Sequence, residues 1–136
     1  MKKFICNSLE ETKAAAEYFA KQAVPGQCFT LYGNLGFGKT TFAQYFIKSL
    51  NPKISAINSP TFNIVQIYPA PKCEIIHIDC YRLRSEEEFF EIGIEERFSS
   101  SITLIEWPEI IENILPANTI KLKFSKDNDT RIIEQI

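Results

Sequence analysis

Residues 30–45 read TLYGNLGFGKTTFAQY. Gly33, Gly36, Gly38, Lys39 and Thr40 satisfy G-x-x-x-x-G-K-[ST], a loop whose backbone amides cradle phosphates. The chemistry explains the spacing. Glycines let the chain turn with φ > 0 and bring successive N–H groups against a polyphosphate. A lysine next to the last glycine reaches the β- and γ-phosphate oxygens, and the following hydroxyl is placed to ligate Mg²⁺. The helix that starts near Gly38 turns its positive end toward the same anion.

Context sharpens the match. With glycine at about 7% of residues, chance supplies this pattern in roughly one chain of this length in a hundred. Three of the five glycines lie between positions 33 and 38, so the loop is not drawn from a glycine-rich background. Cys28–Tyr32 (CFTLY) reads as a short buried strand and Thr41–Leu50 as an amphipathic helix. Strand, loop and helix is the order that a phosphate loop requires.

Working outward, Ser8–Ala23 reads as a first helix, with Ser8 and Glu11 as a capping box. Leu9, Ala16, Phe19, Ala20 and Ala23 recur near helical spacing. Pro25-Gly26 then turns the chain into Cys28–Tyr32. Beyond the phosphate-loop helix, Ser59-Pro60-Thr61 is turn chemistry before an alternating strand, Phe62–Tyr68. A second strand, Glu74–Tyr81 (EIIHIDCY), completes an antiparallel hairpin. Arg82–Ser100 is helical, capped by Ser85 and divided at Gly93; its Glu86–Glu88 run reads as a solvated face. Ile102–Glu106 (ITLIE) is a central strand ending in a carboxylate, and Pro108–Leu115 a short helix. Thr119–Phe124 and Thr130–Ile136 form a closing hairpin about Lys126–Asp129. The expected fold is α/β: a three-layer P-loop NTPase core with a mixed parallel/antiparallel sheet, in one domain over residues 1–136.

Composition narrows the setting. A hydrophobic content of 45% and a charged content of 24% are ordinary for a soluble globular protein. A net charge of −2 gives no general attraction to nucleic acid or anionic lipid, so any dealing with RNA is expected to be indirect. The N-terminus shows only a three-residue apolar run and no export signal, and no stretch approaches membrane-spanning length. Cys6, Cys28, Cys73 and Cys80 lack C-x-x-C or metal spacing and are expected to be reduced, in a cytoplasmic protein.

A phosphate loop needs an acid on its metal side. Open α/β sheets hold ligands at the carboxyl ends of their strands, where Glu106 and Asp79 are candidates. Either would orient the water shell of Mg²⁺ or position an attacking water. The plainer readings are that Asp79 caps or pairs with Arg82 and that Glu106 caps the helix after Pro108. Thr61 lies where nucleotide switches carry a threonine that senses the γ-phosphate, although an ordinary turn explains it as well. His77, the only histidine, faces the same way as Asp79 and reads more simply as a core residue than as a proton carrier. For Trp107, lining the site, stacking on a partner and core packing all stay open.

Taken in order, Gly33–Thr41, Ser59-Pro60-Thr61-Phe62, His77-x-Asp79-x-Tyr81-Arg82-Leu83 and Glu106-Trp107-Pro108 resemble the TsaE family. These are bacterial ATPases needed for making threonylcarbamoyladenosine in tRNA, and the similarity covers nearly the whole chain. Two departures are Asn34, where the family commonly has Asp, and Phe37, where a small residue is common. The resemblance implies slow ATP hydrolysis coupled to a complex of TsaD and TsaB, with carbamoyl transfer occurring on TsaD. Carried over residue by residue, it implies that Gly33 and Gly36–Thr41, with Phe37 and Lys39, bind the ATP phosphates. It implies Thr40 and Glu106 as Mg²⁺ ligands, Lys39, Asp79, Glu106 and Thr61 as catalytic or switch groups, and Ser8 and Arg131 as contacts near the base. The chain lacks the N-K-x-D of guanine-specific relatives, which also favours ATP. A small-molecule kinase and a nucleotide-regulated binding module with negligible hydrolysis are the alternatives.

Overall fold

The computed structural model describes residues 1–34, 36–57 and 64–136. In chain order its regular elements are β1 (Lys3–Cys6), α1 (Leu9–Gln22), β2 (Cys28–Tyr32) and α2 (Lys39–Leu50). There follow β3 (Val65–Tyr68), β4 (Ile75–Asp79), α3 (Glu86–Ile92) and β5 (Ile102–Glu106). The chain closes with β6 (Ile120–Asp127) and β7 (Thr130–Gln135), and 3-10 turns cover Glu95–Ser100 and Pro108–Ile114.

The strands make one seven-stranded sheet, ordered β1-β7-β6-β2-β5-β4-β3. Its middle is parallel: β2 lies between β5 and β6, and β4 runs beside β5. Its margins are antiparallel, β3 on β4 at one side and β6, β7 and β1 at the other. The expected mixed sheet is therefore present. Period-2 alternation divides it into two apolar faces. Phe29, Leu31, Ile75, Ile102 and Leu104 pack under α1 and α2, while Cys28, Ile76, Ile78 and Ile105 pack under α3 and the 3-10 turns. These are the three layers.

The face beneath α1 and α2 is aromatic. Phe29 and Phe46 have ring centroids 5.0 Å apart and Phe42 and Phe124 5.3 Å, in edge-on geometry. All four rings are buried, each contributing about 1.5–3 kcal/mol from removal of apolar area. This layer fixes α2, and so the start of α2, over the C-terminal end of the parallel strands.

Several boundaries differ from the sequence reading. β1 was not expected, because Phe4–Cys6 is too short to show alternation; it forms because β7 offers an edge, pairing Cys6 with Arg131. The strand expected over Phe62–Tyr68 starts at Val65, since Ile64 has φ +55°, a left-handed value that a β-branched residue rarely adopts. Phe62 lies outside the described residues. The second hairpin strand is shorter than expected, Ile75–Asp79. The closing hairpin runs longer and turns at Asn128-Asp129, with Asn128 at φ +56°. Gly93 does divide the acidic helix, ending α3 at φ +76°. All four cysteines are free, and all but Cys73 are buried. Among the described residues no helix is long and apolar enough to cross a membrane.

Candidate functional site: a phosphate-loop cleft

Strand register brings the site together. Leu31 on β2 pairs with Glu106 on β5, and Glu106 pairs with Asp79 on β4, so three parallel strands end at one level. Alternation then selects the face. Ile105 and Ile78 point to the α3 layer, which turns Glu106, Asp79 and His77 toward the α2 layer. The residues needed beside the phosphate loop are consequences of pleat and register.

The loop between β2 and α2 is shaped by two glycines above all. At Gly33, with φ +141°, a Cβ would lie 2.5 Å from the carbonyl oxygen of Phe124, so only glycine lets β6 approach. Gly38 sits at φ +95° as the N-cap of α2 and offers no side-chain cap. The first amides of this 12-residue helix are thus left for an anion.

Lys39 is buried, and its ammonium donates to the Gly33 carbonyl while lying 3.6 Å from the centroid of the Trp107 ring. Burial pushes its pKa below the ordinary lysine value, opposed by the negative charges of Glu106, Glu109 and Asp79. The Thr40 hydroxyl donates to Oε1 of Glu106 at 2.9 Å, and Oε2 of Glu106 lies 2.7 Å from Nε2 of His77. Asp79 accepts the Tyr81 amide on Oδ1 at 2.9 Å. Burial raises the Asp79 pKa, the Tyr81 bond draws it back, and the Glu106 charge adds to the rise.

Gly36, Gly38, Lys39, Thr40, Thr41, Asp79, Glu106 and Arg131, all singled out from sequence, line a single cleft. Gly33 takes part through its carbonyl. Phe37 instead packs against the aromatic core, and Ser8 accepts the Glu11 amide at 3.2 Å as N-cap of α1. Asp79 spends Oδ1 on the Tyr81 amide, and Glu106 on Thr40 and His77 rather than as a cap for the following turn. Thr61 lies outside the described residues.

The sequence reading missed Leu9 and Thr12, which line the cleft. Leu9 was expected to face the core and is 65% exposed. A signal was available: positions 12 and 13 are Thr and Lys, so Leu9 has no apolar neighbour one turn on and stands apart from the Ala16–Phe19–Ala20 stripe. Trp107 is also placed. It lines the cleft at φ +54°, with the Tyr81 ring tilted against it at 4.9 Å and Lys39 on its ring. Strained non-glycine residues of this kind gather at functional sites.

A glycine bend between a parallel strand and a helix, a lysine and a hydroxyl opening that helix, and a carboxylate on the adjacent strand define a phosphate-loop protein of the three-layer α/β class. Comparison with known proteins narrows the class. The family model described as "Threonylcarbamoyl adenosine biosynthesis protein TsaE" matches residues 6–133. A protein of Rickettsia bellii named "tRNA threonylcarbamoyladenosine biosynthesis protein TsaE" is 45% identical over 129 residues, 94% of this chain and 90% of that one. The protein of the same name from Bacillus subtilis is 38% identical over 121 residues, covering 88% and 75% of the two chains. The crystal structure of YdiB from Bacillus subtilis is also similar, with a TM-score of 0.81 and 33% identity over 98% of this chain and 83% of that one. This chain belongs to the TsaE family.

Proposed function

We propose that the protein is a Mg²⁺-dependent ATPase serving threonylcarbamoyladenosine formation in tRNA, slow alone and coupled to a TsaD–TsaB complex. One observation carries the reading: Lys39, Thr40 and Glu106 converge at the uncapped start of α2, beside the glycine bend. The names of the relatives supply the pathway.

The donor set suits magnesium. Thr40 and Glu106 offer a hydroxyl and a carboxylate oxygen 2.9 Å apart, hard ligands of the type this ion takes. Among the described residues no group of three or more His, Cys, Asp or Glu forms a cage of its own. Thr40 and Glu106 would thus hold an ion that arrives with phosphate oxygens. Bound there, it supplies charge neutralisation at the β- and γ-phosphates.

The chain's own groups have distinct tasks. The α2 amides and the Lys39 ammonium bind phosphate oxygens, and Lys39 gives up the Gly33 carbonyl and the Trp107 ring to do so. Asp79, fixed by the Tyr81 amide at a strand end, positions the attacking water, and its raised pKa makes it a better proton acceptor than an exposed carboxylate. Arg131, beside Gly38 and tied through β7 to β1, reaches the nucleotide from the opposite margin of the sheet. Trp107 walls the cleft against solvent. Thr61 is assigned the switch role.

Steady-state ATP hydrolysis, measured with and without TsaD and TsaB, tests the reading. Glu106→Ala is expected to abolish the coupled rate, and Thr61→Ala to retain nucleotide binding while losing it. Persistent turnover in Glu106→Ala would remove the assignment. A phosphorylated acceptor as product would make the protein a kinase, and tight ATP binding with no turnover in any mixture would make it a binding module.

A further inference from the structure

His77 is wholly buried in β4, beneath the cleft rather than in its wall. Its Nε2 lies 2.7 Å from Oε2 of Glu106, whose other oxygen accepts the Thr40 hydroxyl at 2.9 Å. Its Nδ1 has no partner among the described residues. An imidazole with an acceptor at one nitrogen and none at the other fits the Nε2–H tautomer. A proton on Nδ1 would be a buried donor with nothing to receive it.

An apolar side chain would fill this slot without leaving a nitrogen unpaired. The residues on either side of it, Ile76 and Ile78, show what the strand otherwise uses. What the ring gains in exchange is Glu106. A carboxylate that is free to rotate offers either oxygen, or both at once; one whose Oε2 is engaged offers only Oε1. Partners one shell away commonly orient metal-side ligands in this manner.

We propose that His77 is a positioning residue: by donating Nε2–H to Oε2 it holds Glu106 so that Oε1, beside the Thr40 hydroxyl, faces the magnesium of a bound ATP. The inference rests on the reading of the cleft as a Mg·ATP site, and goes beyond it by assigning the orientation of the carboxylate to a residue that touches neither ion nor nucleotide.

Because the chain has a single histidine, its ring nitrogens are observable without ambiguity. Long-range ¹H–¹⁵N correlation on the full-length protein labelled with ¹⁵N-histidine is expected to show a protonated Nε2 and a bare Nδ1. Calorimetry of ATP binding across a magnesium series, and in EDTA, gives the second readout. His77→Leu is expected to raise the magnesium concentration at half-effect by about 10–100-fold while leaving affinity in EDTA unchanged. His77→Gln, whose amide nitrogen falls near the position of Nε2, is expected to recover most of that shift. Should the leucine variant not fold, His77→Asn, too short to reach Oε2, takes its place. A protonated Nδ1 with a bare Nε2, an unmoved magnesium midpoint, or a shift that glutamine does not rescue would overturn the proposal. Absence of ATP binding by the unaltered protein would remove the underlying reading as well, whereas ATP binding with an unmoved midpoint would remove this inference alone.

Discussion

The two faces of the sheet use the same strands for different ends. On β4 and β5, Ile78 and Ile105 pack beneath α3, while their next neighbours Asp79 and Glu106 face α2 and the cleft. Beneath α1 and α2, aromatic packing gives way at the strand ends to His77, Asp79 and Glu106, with Lys39 at the start of α2, all four buried. The α3 face carries no ionisable carboxylate at these strand ends, only Ile78 and Ile105 among apolar neighbours. One residue of register thus separates chemistry from stability, and a slip by one would bury the carboxylates under α3 and place isoleucines at the phosphate loop.

That contrast can be broken in four ways. Lys39→Ala has the largest expected effect: hydrolysis by the complex falls below detection, while the melting temperature moves by no more than a few degrees, because the ammonium contributes one hydrogen bond and one ring contact to the fold. Phe46→Ala, in the aromatic layer, is expected to cost about 3–5 kcal/mol in urea unfolding, and to lower ATP affinity only in proportion to the unfolded fraction. Ile105→Val, next to Glu106 but on the other face, is expected to cost about 0.5–1.5 kcal/mol and leave ATP affinity unchanged. A change in affinity there would show that the faces are coupled. Thiol labelling gives the smallest effect. Burial pushes the Cys28 thiol up to about 11 and the Cys80 thiol up to about 12, so at pH 8 both remain protonated and unreactive. Native protein at that pH is expected to label first at Cys73, the one cysteine that is not buried, with Cys28 and Cys80 reacting only after unfolding.

The centre of this fold was legible in the sequence because its signals are local. The phosphate loop, the apolar ITLIE run and the Ser8, Ser85 and Gly93 helix ends each declare themselves within a few residues. What escaped depends on distant partners. β1 is a strand only because β7 pairs with it, and Ile64 leaves the extended conformation just before the β3–β4 hairpin. In the cleft, motif residues were found because spacing carries their chemistry. Leu9 and Thr12 were missed because their role comes from where α1 is docked. The His77–Glu106 contact was equally hidden, since 29 residues separate the two and nothing in either segment names the other.

The close approach of Gly33 to the Phe124 carbonyl has a temporal consequence. During synthesis the glycine bend leaves the ribosome long before the strand it leans on, and Arg131 later still. Contacts between residues about a hundred positions apart are formed late, after the loop entropy has been overcome. A nascent chain lacking its last segment would therefore display the whole motif yet have no finished pocket. The cleft is completed only when the β6–β7 hairpin docks, bringing the Phe124 carbonyl against Gly33 and Arg131 beside Gly38.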